Sequence, residues 1–178
     1  SCAISLFNQI KNITEQCLIN QIILIGSQAE YGRACGNVGE DYITDNDTLS
    51  SYGRAKLYLY ENLKRSAIDV ILTELRFHSV FGAFPSKRQM LQDSLYKMLR
   101  GEDIEFYSDG NQHYDFICAD DAVGAVISAM EKQAEGVFNV SSGQNLLFRD
   151  YLKIANSIAG NKSRLTFGEC SQPDFSFD

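Results

Sequence analysis

Short apolar runs of strand length alternate along this chain with longer stretches of helical period, and that alternation most constrains its fold. Gln21 to Gly26 is a continuous apolar run of the kind buried on both faces of a parallel sheet. Val70 to Phe77, Ile104 to Tyr107 and Val137 to Val140 are further strand candidates. Residues 3–16 place Ile4, Phe7, Ile10 and Ile13 at helical spacing. A second helix is expected from a cap at Thr48, Ser50 or Ser51 to about Ser66. Lys87 to Arg100 reads as a helix stopped by Gly101, Asp120 to Lys132 as another, and Leu147 to Ala159 as one ended by Gly160. Gly36 to Asp47 is a polar loop, and Asp109-Gly110-Asn111 a turn. Helices alternating with buried strands predict a parallel α/β sheet, followed after residue 82 by an irregular, more helical portion.

The 178 residues suffice for one compact domain or a large part of a bigger one. No run approaches the roughly 18–20 apolar residues that cross a bilayer, so no membrane partner is expected. A net charge of −7 argues against nucleic acid but leaves small anionic ligands open. Cys2, Cys17, Cys35, Cys118 and Cys170 have no metal-site spacing; they predict reduced thiols in a cytoplasmic protein and no metal. The first residues carry neither a basic secretion-signal segment nor an initiator Met, so a cut or excerpted chain is expected.

On the helix after residue 48, Tyr52 and Lys56 stand four residues apart and share a face. A phenol is a poor base at neutral pH. An ammonium about 5 Å away, at an effective dielectric near 20, favours the phenolate by about 3 kcal/mol, or roughly two pKa units. Such a pair exchanges protons with a hydroxyl or carbonyl oxygen near neutrality. The spacing alone also suits a solvated helix face, and Tyr60 and Lys64 repeat it on the same helix. Ser27 ends the first apolar run, and open α/β sheets bind ligands at strand carboxyl ends. A serine there can hold the oxygen that Tyr52 protonates; it can equally be an ordinary turn residue.

Gly26-Ser27-Gln28-Ala29-Glu30-Tyr31-Gly32, then a loop, then Tyr52-Gly53-Arg54-Ala55-Lys56-Leu57 resembles the extended short-chain dehydrogenase/reductase family, the NAD-dependent epimerases and dehydratases. Arg76 to Gly82, Ser108 to Asp121 and Val137 to Gly143 resemble three later family segments in the same order. The resemblance implies a partial Rossmann-like sheet in residues 1–81, and a smaller, mostly helical substrate-binding portion in 82–178, with 115–140 returning to the first domain. It makes Ser27, Tyr52 and Lys56 the catalytic set. Tyr52, Lys56, Phe77 and His78 would contact NAD or NADP, and Ser27, Ser79, Lys87, Arg88 and Tyr114 a nucleotide-sugar substrate. Family members often dimerise through helices such as the one bearing Tyr52; Leu59 and Leu63 would permit a homodimer or belong to the core.

The chain departs from the family pattern in three places. The glycine loop that binds the dinucleotide pyrophosphate is not recognisable. Gly32, Gly36 and Gly39 match it only superficially, because an acidic loop rather than an amphipathic helix follows. These 178 residues alone are therefore expected to bind dinucleotide poorly and to leave a sheet edge unprotected. Gln28 and Ala29 stand where dehydratases carry an acidic pair, which leaves 4-epimerisation or 4-keto reduction. Glu30, one place on, is expected to turn to the opposite face from Ala29 along an extended backbone, as a structural carboxylate. Tyr114 stands where the family has a phosphate-binding Arg and brings no charge, so His113, Lys87 or Arg88 would compensate. The motif wording is most like members acting on deoxy-sugar nucleotides in surface polysaccharide pathways. The rival reading is a non-catalytic remnant or a sugar-nucleotide-binding module.

Overall fold

The computed structural model describes residues 2–34, 36–66, 69–83 and 90–170. In chain order the elements are α1 (Cys2–Gln16), β1 (Gln21–Ser27), α2 (Ser51–Arg65), β2 (Ile71–Phe77), β3 (Ser79–Phe81) and α3 (Met90–Arg100). They continue with β4 (Ile104–Ser108), β5 (His113–Cys118), α4 (Ala119–Glu131), β6 (Gly136–Val140), β7 (Asn145–Leu147), α5 (Phe148–Ile158) and β8 (Leu165–Cys170). Short 3-10 turns lie at Gln28–Tyr31 and Asn46–Thr48.

The described chain divides into two compact units, one holding residues up to His78 together with Asp121–Val140. Its sheet is parallel, in the order β1-β2-β6. Central β2 is the best buried, with Thr73 to Phe77 all inside. Among the described residues β1 pairs only with β2, and Ile25 is 51% exposed. The expectation that Gln21 to Gly26 is buried on both faces is therefore not met, because Ile25 is not covered by the described residues. α2 runs beside this sheet and buries Gly53, Leu59, Tyr60 and Leu63. Ser50 is its cap, accepting a hydrogen bond from the Gly53 amide at 3.1 Å. Leu59 and Leu63 are thus core residues, the second of the two roles open to them.

The second unit holds Ser79–Asp120 and the described residues from Ser141 to Cys170. Among the described residues its two helices and five strands include a β3-β5-β7 sheet and a parallel β4-β8 pair. Its core is Leu91, Met98, Ile104, Phe106, Phe148 and Leu152, with Met98 and Leu152 fully buried. α3 contributes Leu91 and Met98, and α5 contributes Phe148 and Leu152, each pair on one helical face. The mixed α/β architecture with parallel sheets is the one expected.

Candidate active site

The site is built from the carboxyl ends of three parallel strands. Ser27 of β1 lies in register with Phe77 of β2, and Phe77 with Val140 of β6. Past Ser27 the chain does not continue extended but winds into the Gln28–Tyr31 turn, for which Ser27 is the cap. Ser27 Oγ accepts from the Ala29 amide at 3.2 Å, and Glu30 Oε1 accepts from the Ser27 amide at 2.7 Å. This reciprocal pair is a capping box, and it fixes the Ser27 backbone from both sides. The extended alternation expected for Gln28 to Glu30 is replaced by this turn. Glu30 is fully buried within it, which agrees with a structural carboxylate.

α2 brings in the other two members. Gly53, next to Tyr52, sits where an added Cβ would lie 2.1 Å from the Ala29 carbonyl oxygen. Only a residue without a side chain lets the helix come this close to the turn after Ser27. One turn further on, Lys56 Nζ donates to the Ile25 carbonyl of β1 at 2.7 Å and lies 5.7 Å from the Tyr52 ring centroid. Tyr52 is 47% exposed. The structure thus brings Tyr52 and Lys56 together beside the end of the strand that carries Ser27.

The competing pair shows the same local geometry in a different place. Lys64 Nζ is likewise 5.7 Å from the Tyr60 ring, as the shared spacing dictates. Tyr60, however, is buried, and burial followed by the negative charge of Glu74 pushes its phenol up. Tyr60 and Lys64 line a shallow depression with Ile22, Leu72 and Gly136, at the amino ends of the strands. Strand amino ends are not where such sheets hold ligands.

Beneath Ser27 lies a charged cluster that the motif reading did not anticipate. Arg76 Nε donates to Glu74 Oε2 at 2.9 Å and stands 3.3 Å from Glu30 Oε2, with all three side chains buried. The Tyr31 ring covers the guanidinium at 4.6 Å, and the Tyr31 hydroxyl donates to Asn139 Oδ1 at 2.7 Å. Asn139 also anchors the 36–47 loop, donating from its amide to Glu40 Oε1 at 2.9 Å and from Nδ2 to the Val38 carbonyl at 3.0 Å. Ser-x-x-Glu at residues 27–30 was the available signal for the Glu30 contact. Nothing local marks Asn139.

The remaining expected residues fall as follows. Phe77 is buried at the end of β2, and the His78 amide donates to the Val140 carbonyl at 3.0 Å. Ser79 and Tyr114 belong to the second unit. There the Tyr114 ring stacks on Phe116 at 5.2 Å and leans on Phe148 at 5.5 Å. Lys87 and Arg88 lie outside the described residues. Among the described residues no cluster of three metal-ligating side chains occurs, and no helix is long and apolar enough to cross a membrane.

Several known proteins share this arrangement of elements. UDP-glucuronic acid 4-epimerase from Bacillus cereus, in complex with UDP-glucuronic acid and NAD, superposes with a TM-score of 0.80 at 22% identity, over 97% of this chain and 56% of that one. UDP-glucose 4-epimerase from Thermotoga maritima, with UDP-glucose, gives 0.76 at 22% identity over the same shares. These likenesses establish the fold. In sequence, the chain is 28% identical over 153 residues to the uncharacterized protein y4nG of Sinorhizobium fredii, covering 83% of this chain and 37% of that protein. The chain thus spans little more than half the length of the similar structures, and less of the relative. The family model for the NAD dependent epimerase/dehydratase family matches residues 5–141. With three-quarters of its length under that match, the chain belongs to the NAD dependent epimerase/dehydratase family.

Proposed function

We propose that this chain carries the acid–base machinery of an NAD(P)-dependent enzyme acting at C4 of a nucleotide sugar. Epimerisation at that carbon is the favoured outcome, and 4-keto reduction its close variant. One observation carries the reading: Lys56 is tied to the carbonyl two residues before Ser27, on a helix whose Gly53 rests against the turn after Ser27, with the Tyr52 ring 5.7 Å from the ammonium. The similar folds of UDP-sugar 4-epimerases support it.

The donor set on α2 fits the ribose end of a nicotinamide dinucleotide. A phenol hydroxyl and an ammonium one turn apart match a pair of vicinal sugar hydroxyls. The pyrophosphate end finds no counterpart among the described residues, since Gly32, Gly36 and Gly39 lead into a loop and a 3-10 turn rather than a helix. When bound, the nicotinamide ring supplies the centre that accepts and returns hydride. Tyr52 takes the proton of the sugar C4 hydroxyl as the carbonyl forms and gives it back as the alcohol re-forms. Ser27 Oγ, whose acceptor side already serves the Ala29 amide, donates to the same oxygen. Lys56 grips the ribose. Gln28 and Ala29 have no group for eliminating water, so dehydration is not part of the proposal.

We assign the second unit, with Ser79, to the nucleotide sugar. The unpaired thiols of Cys2, Cys17 and Cys118 suit a reducing, cytoplasmic setting. The test is to give the full-length gene product UDP-glucose, UDP-glucuronic acid and UDP-N-acetylglucosamine in turn, each with NAD, and separate the products. A C4 epimer from at least one is expected. Stoichiometric NADPH consumption with a 4-keto sugar nucleotide would select the reductase variant, and neither result would reject the proposal.

A further inference from the structure

The chemistry proposed above leaves out the three most deeply buried charged side chains of the first unit. Glu30 is 0% exposed, Glu74 1% and Arg76 4%. Two carboxylates on one guanidinium leave a surplus negative charge, which a buried site strongly resists. Like charges in contact relieve this by keeping one proton between them.

The contacts indicate where that proton goes. Glu30 Oε1 is committed to the Ser27 amide at 2.7 Å. Glu30 Oε2 is buried and accepts no hydrogen bond from any fixed N–H donor, although Arg76 Nε stands 3.3 Å away. Glu30 Oε2 and Glu74 Oε2 both lie against Arg76 Nε, so a protonated Glu74 carboxyl supplies the missing donor. Gly26 makes room for the cluster. A Cβ there would lie 2.8 Å from Glu30 Oε1, 3.0 Å from Glu74 Cγ and 3.2 Å from Arg76 Cγ.

We propose that Glu30 is a positioning residue for Ser27, held in place by a one-proton carboxyl pair with Glu74, so that the placement of Ser27 is set by the protonation of a group that never touches substrate. Its functional meaning rests on the catalytic reading of Ser27, whereas its physical basis does not. Burial, followed by the negative charge of Glu30, pushes Glu74 up to about 8. Burial also raises Glu30, against the pull of the Ser27 amide, Arg76 and Lys56. The charged and titratable groups facing the pair are Arg76 from β2 and Lys56 and Tyr60 from α2, with Tyr31 of the 3-10 turn over the guanidinium. Raising the pH through about 8 puts two carboxylates on Arg76 and loosens the contact that fixes Ser27.

Carboxyl-labelled glutamate in this chain, followed by carbon NMR with the Ser27 amide resonance from pH 4 to 10, tests the idea without turnover. One glutamate titrating near pH 8, with the Ser27 amide moving at the same midpoint, is the expected result. Glu74→Gln, which keeps a donor toward Glu30, should abolish both transitions. Every glutamate titrating below about pH 6, or a Ser27 amide unmoved between about pH 6 and 9, overturns the proposal. In the full-length gene product Glu30→Gln should lower kcat about tenfold or more with KM little changed; unchanged kcat would remove the positioning role. Were Tyr52→Phe harmless while the coupled titration persisted, the catalytic reading would fail and the carboxyl pair would stand.

Discussion

Two residues on α2 show how far a spacing can be trusted. Tyr52 and Tyr60 each carry a lysine one turn away at 5.7 Å, yet only Tyr52 is solvent-accessible beside the strand that ends in Ser27. The contact that separates them is Gly53 against the Ala29 carbonyl. Replacing a helical glycine by alanine ordinarily stabilises by about 0.5–1 kcal/mol. Gly53→Ala should reverse that sign and destabilise by about 1–3 kcal/mol, because the new methyl group meets a backbone oxygen rather than a flexible side chain. Urea unfolding of the two proteins measures it, and a stabilised variant would contradict the close docking. Much of the candidate site could be picked out at this scale, because Ser27, Tyr52 and Lys56 lie in short-range patterns. Glu30 was misread as part of an extended run although its capping box was written in the sequence. The partners of Arg76 and Asn139 are set by sheet register and loop return, which no local pattern encodes.

Among the elements, β1 and β2 have similar apolar sequences and different fates. β2 has strands on both sides, with Leu75 3% exposed, whereas among the described residues β1 has one neighbour and leaves Ile25 51% exposed. Leu75→Ala should therefore cost about 2–5 kcal/mol, and Ile25→Ala under about 1 kcal/mol. Denaturation midpoints would give the comparison, and equal costs would mean that β1 is covered in solution. Helices and long apolar strands were legible because their periods persist over many residues. β3, β5, β7 and β8 were not. They are three to six residues long, and in β8 only Leu165 and Phe167 face the second core. An alternation of two positions is too short to register as a period.

For the molecule as a whole, the buried carboxyl pair predicts a pH-dependent stability. Glu74 has its folded value raised to about 8 from an ordinary 4.5, so its contribution is full below about 4.5 and is lost as pH rises through 8. Thermal unfolding of this chain should show stability falling between about pH 5 and 8, and Glu74→Gln should flatten that slope. A slope unchanged in the variant would place its origin elsewhere. A polypeptide of these 178 residues should show no submillimolar affinity for NAD(H) or NADP(H), because the described residues offer only the ribose end of a site; micromolar binding by calorimetry would refute this. The central claim concerns one phenol, and turnover of a nucleotide sugar by the full-length gene product carrying Tyr52→Phe, beside Tyr60→Phe, tests it most directly. A loss of about 10²–10⁴-fold is expected for the first, with its unfolding midpoint nearly unchanged, and near-normal turnover for the second. Comparable turnover in both variants would contradict it.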